Sequence, residues 1–346
     1  MKSRGLAVHD PKSPLQPFEF ERRQLRPNDV ALDIAYAGIC HSDIHQAREE
    51  WGPSIYPMVP GHEIAGTVSE IGSAVSTFKV GDRIGIGVFI DSCRTCSSCR
   101  KGLEQYCENG NTGTYNSFER DGKTIAFGGY SNNFVVDADF ALHVPENLDL
   151  SGVAPLLCAG ITLYSPLKHW KVRAGTRVGI VGLGGLGHMG VKFAKALGAE
   201  VTVFSHSPQK QPDALAMGAD HFVLTKDPTT LKALARSFDL ILNTVSAELD
   251  ISAYLSMLSL DGTLVVIGLP GKPYSVGAGV LLGARRSMAG SQVGGIAEIQ
   301  EMLDFCGVHN IVSDVEVIKA DYVNTAYERT IASDVKYRFV IDAKSF

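Results

Sequence analysis

Apolar residues along this chain fall into two rhythms. From residue 1 to about 150 they come in short runs punctuated by Gly and Pro: VALDIAYAGIC (30–40), GTVSEIG (66–72), DRIGIGV (82–88) and YSNNFVV (130–136). Runs this short, with turn residues between them, predict the strands of a compact β-rich domain, open to closure into a barrel. From about 155 to 290, strand-like runs alternate with helical periodicity. TRVGIVG (176–182) reads as a strand. HMGVKFAKALG (188–198) puts Met189, Phe193, Ala196 and Leu197 on one helical face and ends on Gly198, where a C′ glycine belongs. VTVF (201–204), a helix near DALAMG (213–218), FDLILNTV (238–245) and TLVVIG (263–268) continue the alternation. Such alternation implies a parallel sheet with helices on both faces. After about 296 the texture is mixed again and closes on a strand, KYRFVID (336–342). Ile299, Met302, Leu303 and Cys306 share a helical face there, which makes Cys306 a core residue. The expected class is therefore α/β; a β-rich domain of residues 1–157 and 296–346 interrupted by a doubly wound nucleotide-binding domain of residues 158–295 fits this texture without being fixed by it.

The turn after the first strand of that inserted module is VGLGGLG (181–187), with Gly182, Gly184 and Gly187 in G-x-G-x-x-G spacing around Leu183, Gly185 and Leu186. The spacing alone is weak in a glycine-rich chain. Its place between an apolar strand and a periodic helix lifts it to a dinucleotide-binding loop. The first glycine permits the tight turn, the second lets backbone approach a pyrophosphate, and the third allows close helix–strand packing; the helix N-terminus then faces phosphate charge. An NAD site usually carries Asp or Glu at the end of the second strand. This chain has Ser205, His206 and Ser207 there, followed by Lys210. A carboxylate about 4 Å from a 2′-phosphate would cost on the order of 4 kcal/mol at an effective dielectric near 20. Hydroxyl donors and a lysine attract that phosphate, so the expected cofactor is NADP(H).

Composition narrows the remaining choices. Of 346 residues, 32 are basic and 37 acidic, a net charge of −5 that offers nothing to nucleic acid or to an anionic membrane surface. The amino-terminal MKSRGLAVHD has no apolar core, and no run of 18 apolar residues follows, so the reading is a soluble cytoplasmic protein. Seven cysteines is an odd number in a chain large enough to need no disulfide staples. Four of them form Cys93-x2-Cys96-x2-Cys99-x7-Cys107. An iron–sulfur run also opens C-x2-C-x2-C but continues with x3 and Cys-Pro, whereas here the gap is seven and Glu108 follows. Four thiolates at these spacings close a tetrahedron around Zn2+ and leave no open position, which makes the lobe a structural zinc site.

Catalytic zinc needs three protein ligands and an open position. Cys40 in GICHSDIH (38–45), His62 and Glu63 in VPGHE (59–63), and Cys158 in APLLCAGIT (154–162) are the candidates. Singly, a cysteine here can be a small core residue and a histidine a hydrogen-bonded one; only jointly do they read as ligands. With the four-cysteine lobe, VGLGGLGHMG, SHSPQK and YRFVID, these segments make the chain resemble, over essentially its whole length, the zinc-dependent medium-chain alcohol dehydrogenases, and most closely their cinnamyl alcohol dehydrogenase group.

That resemblance implies a GroES-like catalytic domain, an inserted Rossmann domain, two zinc ions per chain and usually a homodimer. It implies that Cys40, His62 and Cys158 hold catalytic zinc, with Glu63 an adjacent or exchangeable ligand and Asp43 orienting the ring of His62. It places cofactor contacts at Ser42, Thr162, Gly182 to Gly187, Ser205 to Ser207, Lys210, Thr244, Gly268, Gln292, Val293 and Gly294. In aldehyde reduction, Ser42 would give the alkoxide its proton, relayed through the ribose hydroxyl to His45. Two departures matter. Plant lignin-forming members carry a pocket tryptophan shortly after the last lobe cysteine, where NTGTYN (111–116) has none, and Gln292 stands in place of a phenylalanine. Less aromatic area predicts weaker selectivity for large phenylpropenyl substrates, with Trp51 as a partial substitute. The expected activity is broad reduction of aromatic and aliphatic aldehydes, primary alcohols being the reverse substrates. The alternatives are an NAD-linked polyol or short-chain alcohol dehydrogenase, and a zinc-stabilised nucleotide-binding redox sensor.

Overall fold

In the computed structural model, which describes residues 1–226 and 228–346, the chain divides into two units: Met1–Ile161 with Gly294–Phe346, and Thr162–Val293. Cys158, assigned from sequence to the inserted module, thus falls in the first unit, just ahead of the crossover.

The first unit is organised by the long strand Asp29–Gly38. Among the described residues it belongs to a seven-stranded sheet ordered Leu142–His143, Arg83–Ile86, Ile64–Ile71, Asp29–Gly38, Arg338–Asp342 and Val315–Ile318, with Asn133–Asp137 also paired to Asp29–Gly38. Val30, Ala31, Leu32 and Ala37 are fully buried, so the strand has core on both faces. The C-terminal strand returns antiparallel to it, Val340 opposite Gly38 and Ile341 opposite Ala37. This pairing is why the last segment belongs with the first 161 residues. The strand ends at Gly38, and the helix His41–Ala47 starts at once from Cys40, whose N–H donates to the Asp43 carboxylate at 2.9 Å.

In the second unit, six parallel strands run in the order His221–Leu224, Glu200–Ser205, Arg177–Val181, Phe238–Asn243, Leu258–Val266 and Ser287–Gly290. The first strand in sequence lies centrally, between the second and the fourth, so the winding reverses beside it. Ligands bind at the carboxyl ends of strands at such a switch point. The helix Gly187–Ala196 buries Gly187, Gly190, Val191 and Ala194 together with Met189 and Phe193, while Ala196 and Leu197 are partly exposed. The expected apolar face is therefore rotated. At Gly190 a Cβ would lie 3.1 Å from Leu163 and 3.2 Å from Ile180, so a residue with no side chain lets the helix pack closely there. No single helix among the described residues is long and apolar enough to cross a membrane.

Candidate active site

Strand pairing brings the first group of candidate ligands together. Ala37 lies opposite Ile64 in antiparallel register, so the end of one strand sits beside the start of the next. Cys40 follows the first of these strands by two residues, and His62 and Glu63 immediately precede the second. Cys158 comes in from the turn Ala154–Leu157, with its Sγ 4.0 Å from that of Cys40 and no disulfide between them. All four side chains are buried, and one ligand atom from each lies within 4.8 Å of all the others.

Each member is fixed by a neighbour. His62 Nδ1 faces Asp43 Oδ1 at 3.2 Å, while His62 Nε2 is buried with no hydrogen-bond partner. Glu63 pairs through Oε1 with Arg338, whose Nη2 also donates to Ile39 O at 2.7 Å; Glu63 Oε2 is buried and unpaired. A Cβ at Gly38 would lie 2.0 Å from that Oε2, so only glycine leaves room for the carboxylate.

Burial and close charges shift the titrating groups of this pocket away from their ordinary ranges. Burial pushes Glu63 up to about 8, with Arg338 pulling the other way. Burial works against a charged His62, yet Asp43 beside it holds its pKa well above the usual histidine range. Hydrogen bonding from the Cys158 thiol holds Cys40 well below the ordinary thiol range, and Cys158 is raised in return. Two sulfurs 4.0 Å apart, an imidazole nitrogen and a carboxylate oxygen without partners offer two sulfurs and one nitrogen, with one oxygen donor in reach, a set that fits Zn2+.

The four-cysteine lobe also fits zinc. Cys93, Cys96, Cys99 and Cys107 gather their sulfurs within 4.8 Å, with Cys93 Sγ and Cys99 Sγ 3.9 Å apart. Backbone N–H groups point at the sulfurs: Cys96 to Cys93 at 3.3 Å, Cys99 to Cys96 at 3.5 Å, Glu108 to Cys96 at 3.4 Å and Cys93 to Cys107 at 3.4 Å. Such donors favour thiolate. The Cys93 thiol is lowered to about 5, led by Asn109 and then by the amides of Thr95 and Cys96. Arg94, at the positive φ of 59°, ties the lobe down through Asp139 at 2.7 Å and Asp137 at 2.8 Å.

In the second unit the glycine loop lies at the switch point. Gly182 has φ of 92°, a Cβ at Gly187 would lie 2.0 Å from Gly182 O, and a Cβ at Gly184 would meet nothing within 4 Å. Turn, helix packing and open approach are thus divided among the three glycines, and the open one is the cradle a pyrophosphate needs. Thr244 Oγ1 donates to Val181 O at 2.7 Å, and Gly268 N–H donates to Asn243 O at 3.0 Å. Ser205 Oγ, buried, accepts the Ser207 N–H at 3.2 Å; His206 is exposed; Lys210 Nζ donates to Leu183 O at 2.7 Å, over the loop, and burial lowers its pKa. Thr162 and Val293 are buried in this unit, and Gln292 also belongs to it, whereas Gly294 belongs to the first.

Ser42 and His45 sit on the helix His41–Ala47 beside Cys40, whose Sγ is 3.5 Å from Ser42 Oγ. His45 Nδ1 is bound to the Glu50 carboxylate, and the ring stacks on Trp51 at 4.7 Å. Trp51 is 49% exposed and its ring contact is with this imidazole. Sequence reading missed Glu50, Arg338 and Gly38. Arg338 had a signal, being a charged residue inside the apolar strand YRFVID; Glu50 had none.

Comparison with known proteins agrees with this geometry. The family model for the alcohol dehydrogenase GroES-like domain matches residues 26–146, and that for zinc-binding dehydrogenase matches residues 185–307. The NADP-dependent alcohol dehydrogenase C 1 of Mycolicibacterium smegmatis is 57% identical over 96% of this chain and 95% of its own length. An aldehyde reductase of Escherichia coli is 48% identical over 100% and 99%. The solved structure of a cinnamyl alcohol dehydrogenase from Sorghum bicolor superposes with a TM-score of 0.96 at 45% identity, over 99% of this chain and 98% of that one. The chain belongs to the zinc-dependent medium-chain alcohol dehydrogenases, in their cinnamyl alcohol dehydrogenase group, and is an NADP-dependent enzyme of alcohol and aldehyde interconversion.

Proposed function

We propose that Cys40, His62 and Cys158 hold the catalytic zinc, with Glu63 as an exchangeable donor, and that the enzyme works chiefly as a reductase of aromatic and aliphatic aldehydes. The observation that carries this is the convergence of four buried ligand atoms from three distant segments, two of them unpaired. Zinc held there would supply Lewis-acid stabilisation of negative charge on a carbonyl oxygen, and NADPH would supply the hydride.

The chain's own groups do the rest. Ser42, next to the ligand Cys40, is the hydroxyl that hands a proton to the product oxygen. His45 is the reservoir behind it, and Glu50 holds Nδ1 so that Nε2 is the nitrogen presented. Asp43 and Arg338 orient His62 and Glu63. Cys93, Cys96, Cys99 and Cys107 hold a second, structural zinc.

Ser205, Ser207 and Lys210 recognise the 2′-phosphate of NADP(H), Thr244 and Gly268 line the switch point, and Thr162 with the segment 292–294 completes the cofactor contacts. Gln292 and the tryptophan-free stretch 111–116 favour a broad substrate range, and Trp51 supports His45 rather than the substrate. The protein is further proposed to be a cytoplasmic homodimer. Ser287–Gly290 ends its sheet and is paired on one side, and Leu269 and Leu282 are 64% and 80% exposed. Lobe cysteines that form no disulfide suit a reducing compartment.

Initial rates for a panel of aldehydes and alcohols with NADPH and NADH, alongside zinc content, test the whole reading. Preference for aldehyde with NADPH and two zinc ions per chain is expected. Equal efficiency with NADH, or zinc confined to the lobe, would defeat it.

A further inference from the structure

We infer that Tyr130 is a positioning residue of the active centre: its hydroxyl anchors the carboxylate that sets the ring of His62. The inference rests on the assignment of His62 as a zinc ligand above.

Asp43 is fully buried and uses both oxygens. Oδ1 faces His62 Nδ1 and accepts the Gly61 N–H, each at 3.2 Å. Oδ2 accepts the Cys40 N–H at 2.9 Å and the Tyr130 hydroxyl at 3.1 Å. The two amides come from segments that carry ligands. Tyr130 comes from a third segment, 87 residues along the chain from Asp43, and is itself fully buried. A ligating imidazole keeps its rotation and tautomer through the acceptor on its other nitrogen. That acceptor, buried, needs its own donors in place.

The segment bearing Tyr130 is built to hold it there. Gly128, Gly129 and Tyr130 donate their N–H groups to Val59, Gly61 and Pro60 at 2.7, 2.8 and 2.9 Å, which splints the chain leading into His62. Arg22, half-buried between the rings of Phe20 and Phe134, gives all four of its hydrogen bonds to Phe127 O, Gly128 O, Asn133 O and Ser131 Oγ. The guanidinium thus clamps this one loop.

Two other buried phenols stand close by. The ring of Tyr115 stacks on His62 at 5.8 Å, and Tyr327 meets Tyr130 edge to face at 6.4 Å. Neither hydroxyl makes a hydrogen bond of good geometry, although that of Tyr115 lies near Asp43 and that of Tyr327 near Tyr130. Tyr327 is not bonded to Asp43, so removing its oxygen is the control for losing a buried phenol oxygen beside Tyr130 without losing the Asp43 anchor.

The test is zinc release from the holoenzyme to a colorimetric chelator, with the lobe zinc as internal reference. Tyr130→Phe should release the zinc at His62 about tenfold faster or more, with lobe release unchanged, while Tyr327→Phe follows the parent. In the cobalt-substituted protein, the visible spectrum of the catalytic site should shift in Tyr130→Phe alone. Parent-like release from Tyr130→Phe, or equal acceleration in both variants, overturns the inference and leaves the ligand assignment standing. A parent that holds zinc only in the lobe overturns both. Should Tyr130→Phe fail to fold, Arg22→Lys, which loosens the loop that places Tyr130, carries the test: faster release at His62 with lobe release unchanged is expected, and parent-like release overturns the inference.

Discussion

His45 and Glu50 form a buttressed pair: the carboxylate holds Nδ1 and the indole of Trp51 lies against the ring with planes 26° apart. On the proposed proton relay, Glu50 acts through His45. His45→Ala should lower kcat for aldehyde reduction about a hundredfold, a usual loss for a proton-transfer group, without abolishing hydride transfer. Glu50→Gln should lower it less, with KM little changed. The double variant should be no worse than His45→Ala alone, because the two residues form one unit. Additive losses in kcat would show that Glu50 has a separate role.

Cofactor choice is testable at the end of the second strand. A carboxylate about 4 Å from the 2′-phosphate costs up to about 4 kcal/mol at an effective dielectric near 20. Ser205→Asp should therefore lower kcat/KM for NADPH by orders of magnitude while NADH is unchanged or improved. Lys210→Ala should weaken NADPH more than NADH, although it also removes the bond to Leu183 O. Parallel rates with the two cofactors measure both effects.

Metal removal should separate the two cysteine groups. Cys107→Ser leaves three lobe sulfurs and should yield one zinc per chain and a lower thermal midpoint, since structural zinc contributes directly to folding. Cys158→Ser should also lose one zinc, but with the activity and not the midpoint taking the larger loss. Metal analysis with a melting curve on each variant distinguishes the roles.

Arg338 and Glu63 are both buried, 6% and 0% exposed in their side chains. Arg338→Met leaves the carboxylate without its cation and should destabilise the protein by about 3–5 kcal/mol, as breaking a buried pair does. Gly38→Ala should disturb the same carboxylate from the other side, through the 2.0 Å clash. Both are read from unfolding midpoints at matched zinc content.

Much of this molecule was written locally. The glycine loop, the alternation that marks the inserted module and the lobe Cys93–Cys107 are each contiguous, and a contiguous segment carries its own turn chemistry and ligand spacing. The expected face of the helix Gly187–Ala196 held for Met189 and Phe193 but not for Ala196 and Leu197, because Gly190, packed near Leu163 and Ile180, has no side chain to be counted. The grouping of Cys40, His62 and Cys158 was available only through likeness to a family, since nothing in residue 40 says that residue 158 will stand beside it. Antiparallel register between Asp29–Gly38 and Ile64–Ile71 brings the first pair together. The supporting contacts, Arg338 of the C-terminal strand on Glu63, Tyr130 of a distant loop on Asp43 and Glu50 past the end of its helix on His45, were set by packing. A sequence pattern records which faces are apolar, but long-range hydrogen bonds between single polar atoms depend on how the folded segments meet in space.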